Sequence, residues 1–249
     1  MQGVRVVAQP GDASAVTNAA GQYTISGLRA GTYTLSASKS GFSLQPQSQE
    51  TTVPPDRTGL DFTAHIEMSN NFPAGINLIG VPGAPLDDSP AAVFGTPKVY
   101  RWNPDASPPA YVSALTLANV ELLRVKAGRG YFVRFPGPTT LRVPGVPTDP
   151  SKTYSIGLSE GWNMIANPMP GPTAFSNFVP SPTNGVRPFA FVYDPTSGSY
   201  LLISDLPTIN ATRGTLMGWE GAWLRAVTGG VTLSVTAGAG TAEIGRAHV

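Results

Sequence analysis

Apolar and polar residues alternate with a period of two along much of this chain, which predicts short, half-buried β-strands and few long helices. Val4-Arg5-Val6-Val7-Ala8 is a β-branched run closed by Pro10-Gly11-Asp12, a strand followed by a turn. Tyr23 and Ile25 alternate with Thr24 and Ser26, and Tyr33 and Leu35 alternate with Thr32, Thr34 and Ser36. Two more strands are predicted there, with Gly27 and Gly31 bracketing their connection. Thr58-Gly59-Leu60-Asp61-Phe62 is a predicted closing strand. Beyond residue 72 the strand patterns are punctuated by turn signals at Asp87-Asp88, Pro104-Asp105, Pro108-Pro109, Pro195-Thr196-Ser197-Gly198 and Gly229-Gly230. Short helical turns are predicted over residues 89–94 and 172–178, because proline suits a first helical turn.

The later patterns repeat. Ala74-Gly75-Ile76-Asn77-Leu78-Ile79 recurs as Glu160-Gly161-Trp162-Asn163-Met164-Ile165, an offset of 86 residues from Gly75 to Gly161. The Asn103-Pro104 turn recurs as Asp194-Pro195, Gly130-Tyr131-Phe132-Val133 as Gly221-Ala222-Trp223-Leu224, and Thr140-Leu141-Arg142-Val143 as Thr232-Leu233-Ser234-Val235. Four segments in one order, at slowly growing offsets, imply two β-units with small insertions in the second. The expected organisation is a β-sandwich at 1–64, a linker at 65–71, one repeat at 72–155, a second at 156–240, and a tail at 241–249. The fold class is all-β.

Composition agrees with many strands and turns. Only 12% of residues are charged, while Gly 28 and Pro 25 are abundant. A net charge of +1 lacks the positive excess that binding nucleic acid requires. No run reaches the roughly 18 apolar residues of a membrane span, so none is expected in this chain. The absence of cysteine excludes disulfides and thiolate chemistry but leaves the compartment open. Low charge with heavy Thr, Ser, Gly and Pro use points to an extracellular or cell-surface protein, with no export signal in this stretch.

The residues Asn18, Gly21, Tyr23, Gly27, Leu28, Gly31, Tyr33, Lys39, Gly41 and Phe42 follow an Asn-x-x-Gly-x-Tyr, Gly-Leu-x-x-Gly-x-Tyr, Lys-x-Gly-Phe pattern. This resembles the carboxypeptidase regulatory-like family. The resemblance implies a seven-stranded, transthyretin-like or immunoglobulin-like sandwich of carbohydrate-binding-like fold, used as a spacer or as an appendage to secreted enzymes. Related surface modules carry a Lys-to-Asn isopeptide staple, but the first strand here contains no Lys. Gly161, Trp162, Asn163 and Ile165, with Gly128, Gly130, Tyr131 and Phe132, resemble the Gly-Trp-Asn-type repeat of bacterial surface proteins. The final Glu243-Ile244-Gly245-Arg246-Ala247-His248-Val249 resembles a translated sequencing adapter, so the tail is expected to be non-native and the chain a fragment. His65 is then the one native histidine.

Little catalytic chemistry is available. His65 falls in the expected linker, no Gly-x-Ser-x-Gly elbow occurs, and neither a zinc motif nor a phosphate-binding or dinucleotide-binding glycine loop is found. No cofactor is expected. Paired carboxylates are the remaining option, with Asp87, Asp88, Asp105, Asp149, Glu160, Asp194 and Asp205 as candidates, yet most lie beside turn residues that account for them. Trp102, Trp162, Trp219 and Trp223, with Tyr100, Tyr131 and Tyr193, supply faces for stacking on sugars, although apolar neighbours at strand period favour core packing for most of them. The chain is therefore expected to be a non-catalytic structural or adhesive region of a secreted or surface bacterial protein. The alternative is a carbohydrate-binding accessory module of a larger extracellular hydrolase, and the partner is a polysaccharide or another surface protein.

Overall fold

The computed structural model of the chain describes residues 1–96, 98–113 and 119–237. The adapter-like residues 243–249, His248 among them, lie outside the described residues. The chain divides into two compact units, Met1–Glu67 and Met68–Val249. The fold is all-β, with several antiparallel sheets and a β-sandwich domain at the N-terminus.

In the first unit the strands β1 (Arg5–Gln9), β2 (Ala13–Val16), β3 (Gly31–Ser38), β4 (Phe42–Gln45) and β5 (Ser48–Val53) precede β6 (Thr63–Phe72). One sheet has the order β2-β1-β3-β5, and β4 pairs with the Thr63–Ile66 end of β6. Alternation decides which side chains are inside: Val4, Val6, Ala8, Tyr33, Leu35 and Leu44 form the core, and the intervening polar residues face water. The predicted strand at Tyr23–Ile25 and the closing strand at 58–62 do not join a ladder. Gly21, Gly27 and Gly59, at φ 81°, 75° and 72°, turn the backbone out of the extended region within a few residues. The side chains still do what the alternation asks of them. Tyr23, Ile25, Leu28, Leu60 and Phe62 pack against the core, and Tyr23 Oη donates to Leu60 O at 2.6 Å.

The expected linker at 65–71 is instead strand β6, whose second half lies in the second unit, where Met68 and Phe72 are buried on alternate positions. The polar residues Ser69, Asn70 and Asn71 disguise this strand in the sequence. The second unit continues with β7 (Gly75–Ile79), β8 (Gly83–Pro85), helix α1 (Pro90–Phe94), β9 (Val99–Asn103), β10 (Ala110–Val112), helix α2 (Val120–Leu123), β11 (Tyr131–Phe135) and β12 (Thr139–Pro147). It ends with β13 (Tyr154–Leu158), β14 (Gly161–Ala166), β15 (Thr173–Ala174), β16 (Phe178–Ser181), β17 (Val186–Asp194), β18 (Ser199–Ile203), β19 (Thr215–Leu216), β20 (Gly221–Ala226) and β21 (Val231–Val235). Helix α1 forms where expected: Ser89 Oγ caps Ala92 N, Pro90 opens the first turn, and Gly95 closes it at φ 70°. The second predicted turn is shorter, a 3-10 turn at Phe175–Asn177.

Two hydrophobic cores lie in this unit. The sheet β10-β9-β11-β7 and the strands β6, β12 and β8 enclose one built on Val81, Val99, Leu123, Tyr131, Val133 and Leu141. The sheets β14-β20-β17-β18 and β13-β21-β16 enclose the other, built on Ile165, Val192, Ile203, Leu224 and Leu233. Their local bonding coincides at matching positions. Asn77 Nδ2 donates to the carbonyls of Pro73 and Gly75, both at 3.1 Å, and Asn163 Nδ2 donates to those of Ser159 and Gly161 at 2.8 and 3.0 Å. Gly75 and Gly161 hold φ 95° and 90°. Asn103 Oδ1 accepts Asp105 N–H, and Asp194 Oδ1 accepts Thr196 N–H.

The halves also meet through backbone bonds that exchange into one another. Ile79 bridges Glu220 while Ile165 bridges Arg129, and Gly80 N–H donates to Trp219 O while Ala166 N–H donates to Gly128 O, both at 3.0 Å. Swapping the two stretches turns each bond into its counterpart, as in a two-fold interface.

Candidate functional site

On the strands nearest this junction, most of the residues that point away from each core are aromatic. Val99, Val133, Val192 and Leu224 point inward, so Trp102 on β9, Phe132 on β11, Phe191 and Tyr193 on β17, and Trp223 on β20 take the opposite faces. Strand register then sets the neighbours. Tyr111 stands opposite Trp102, Tyr200 opposite Tyr193, Trp223 opposite both Met164 and Phe191, and Arg225 opposite Trp162.

Nine rings join in one surface: Trp102, Tyr111, Phe132, Trp162, Phe189, Phe191, Tyr193, Tyr200 and Trp223. The Trp102–Trp223 and Phe132–Tyr193 contacts cross from one half to the other, with centroids 5.8 Å apart in each case and the rings edge to face. Trp102 and Tyr193 also pack edge to face on their hairpin neighbours, Tyr111 at 5.2 Å and Tyr200 at 5.5 Å. The middle of the surface is thus an interface between the halves, with its rings half-buried. Its rim is open: Tyr100 is 49% exposed, Tyr111 48%, Tyr200 49% and Trp162 37%. Burial, with the nearby Tyr200 phenol second, raises the Tyr111 pKa.

Arg101 is the charged group beneath this junction. Its guanidinium donates to Gly130 O at 3.0 Å and Met164 O at 2.9 Å, from opposite halves, and lies 5.5 Å from the Tyr131 ring centre. Nε is buried without a partner, and desolvation brings the pKa down to about 10, against a smaller upward pull from Tyr131. The Met164 sulfur accepts the Trp102 amide at 3.1 Å.

The four tryptophans separate. Trp102, Trp162 and Trp223 share the aromatic surface, whereas Trp219 leaves the group of stacking candidates because it is buried in the core of the other half, edge-on to Phe72 at 6.0 Å. Five of the seven candidate carboxylates act as turn and packing groups. Asp87, Asp149 and Asp194 accept the hydrogen bonds of Ser89, Ser151, and Thr196 with Ser197, which lower their pKa values. Asp88 pairs with Arg124 at 2.6 Å, and Asp105 accepts Ser159 Oγ at 3.0 Å. Among the described residues no group of three His, Cys, Asp or Glu side chains is placed to hold a metal ion, and no helix is long and apolar enough to cross a membrane. Of the tyrosines read with the tryptophans as stacking faces, Tyr100 and Tyr193 lie on this side of their strands, whereas Tyr131 is fully buried in a core. Tyr111 and Tyr200 join the site through strand register, a signal that becomes readable only once hairpin partners are known.

Residues 1–65 match the family described as the carboxypeptidase regulatory-like domain, a non-catalytic β-sandwich that serves as a structural or accessory module. No curated protein and no solved structure matches the chain. The aromatic surface lies wholly outside the matched residues.

Proposed function

We propose that this chain is a non-catalytic structural and adhesive region of a secreted or cell-surface bacterial protein. The first unit is its spacer, and the second, built by internal duplication, is its contact module. The observation that carries the reading is the open rim of the aromatic surface, where four large rings remain in water although the same strands have buried cores to receive apolar side chains. Exposed aromatic patches of this kind mark contact sites in soluble domains. The coinciding local hydrogen bonds of Asn77 and Asn163, and the exchanged ones of Gly80 and Ala166, support the duplication.

Labelling of intact cells with an antibody to the second unit tests this reading in a bacterium that carries the parent gene. Signal on intact cells or in the medium is expected. Signal only after lysis overturns it. The alternative, a carbohydrate-binding accessory module of a larger extracellular hydrolase, is favoured by the exposure of Trp162. A catalytic domain in the same reading frame would decide for it.

A further inference from the structure

The strip formed by β14, β20 and β17 differs from the rest of the rim in its charge. Trp162 and Arg225 are directly opposite across the β14–β20 ladder, so they share one face. Beyond Arg225 the β17 ladder is irregular between Val186 and Ala190, and this bulge carries exposed Arg187 and half-buried Phe189, whose ring is 5.6 Å from Phe191. Neither arginine forms an ion pair among the described residues. The three strands contain one acid, Asp194, at the far end of β17, already occupied by Thr196 N–H and Ser197 Oγ–H.

We propose that this strip binds a carboxylate-bearing polysaccharide, a proposal that rests on the reading of the second unit as a contact module. The Trp162 ring face, negative at its centre, receives the C–H bonds of a pyranose ring, and the Arg225 and Arg187 forks, which follow it in that order across β20 and β17, take the uronate carboxylates of the chain on that side. Charge complementarity selects this occupant. Two guanidiniums without an ion pair among the described residues favour an anionic chain over a neutral one. Two cations on a chain of net charge +1 do not supply the row of phosphate contacts that nucleic acid needs. The matching place in the other half contains its own control: Ile76 stands opposite Arg134 there, a cation without a ring.

The test uses the whole chain in affinity electrophoresis and calorimetry against polygalacturonate, with amylose and an oligothymidylate alongside. Retardation by polygalacturonate alone is expected. Trp162→Ile, which reproduces the other half, and the double variant Arg187→Gln/Arg225→Gln should each weaken binding about tenfold, the scale of one lost charge-assisted bond or more. Arg134→Gln should leave it unchanged. All three variants alter exposed side chains, and an unchanged thermal midpoint certifies their fold. Absence of retardation, equal retention by amylose, tighter binding of the oligothymidylate, or indifference to Trp162→Ile overturns the proposal. A surface-exposed chain that is not retarded loses this inference alone, while an intracellular chain that still binds loses the surface reading alone.

Discussion

Trp219 holds the backbone conformation that Gly128 holds at the matching place in the other half: φ is 67° at the tryptophan and 77° at the glycine, and each carbonyl accepts an amide across the junction. A Cβ at Gly128 would sit 2.8 Å from Ile156 Cγ1, so that side has no room for a side chain. The Trp219 side chain enters the opposite core against Phe72. Trp219→Ala should cost about 3–5 kcal/mol of stability, the usual range for a buried tryptophan. Glycine removes the same packing but relieves a left-handed conformation worth roughly 1 kcal/mol. Trp219→Gly is therefore expected to be at least as stable as Trp219→Ala in urea denaturation, the reverse of the ordinary order at a core position. A glycine variant clearly weaker than alanine would show that φ at this site carries no strain.

Asn77 and Asn163 are buried and satisfy the turn before their strands, but Asn163 also accepts Ser159 N–H at 3.1 Å. Replacing either by alanine leaves two carbonyls without their donor, at a cost of about 1–3 kcal/mol. Asn163→Ala should lie higher in that range than Asn77→Ala, because an amide is orphaned as well. Denaturation midpoints of the two single variants check the order.

Tyr131 governs the alkaline limit. It is fully buried, its hydroxyl donates to Arg124 O, and desolvation raises its pKa, with Arg101 and Arg129 pulling the other way. An unfolded tyrosine ionises near pH ~10. The stability this group contributes is complete below that pH and is lost as pH rises through the higher folded value. Tyr131→Phe should cost about 1 kcal/mol at neutral pH and shift alkaline unfolding to higher pH, read by tyrosinate absorbance together with circular dichroism. Arg101, with its folded pKa lowered to about 10, acts in the opposite sense between that value and its ordinary one, since losing its proton relieves a buried charge.

Arg101→Met tests the polar contact under the junction. Removing the guanidinium eliminates an unpartnered Nε but strips the donor from Gly130 O and Met164 O. The second effect should prevail by about 1–2 kcal/mol, because two carbonyls outweigh one amine in unmade bonds. A gain in thermal stability would reverse that balance.

Much of the architecture was legible because strand period and turn chemistry are local. Val6, Tyr33, Leu35, Val133 and Leu224 fall inside where alternation places them, and the Ser89-Pro90 start and Gly95 end bound helix α1. What escaped is non-local. Tyr100 and Trp102 flank Arg101 in a pattern that reads as core, yet they point away from Val99, and Trp102 is covered by Tyr111 of its own hairpin and by Trp223 from the other half. Nothing near Trp219 announces that its ring belongs to a core begun by Phe72. Tyr23 and Leu60 were legible as inward side chains but not as residues outside a ladder, since alternation reports which way a side chain points and not which backbone bonds form.

The exchanged amide bonds of Gly80 and Ala166 bear on how the second unit carries load. Each half offers the other a backbone acceptor beside its own innermost strand, and Trp219 is a key turned in its neighbour's lock. Under tension along a tether, neither half should peel off alone. A pulling experiment is then expected to record one rupture for the whole unit, where two free-standing repeats would give two.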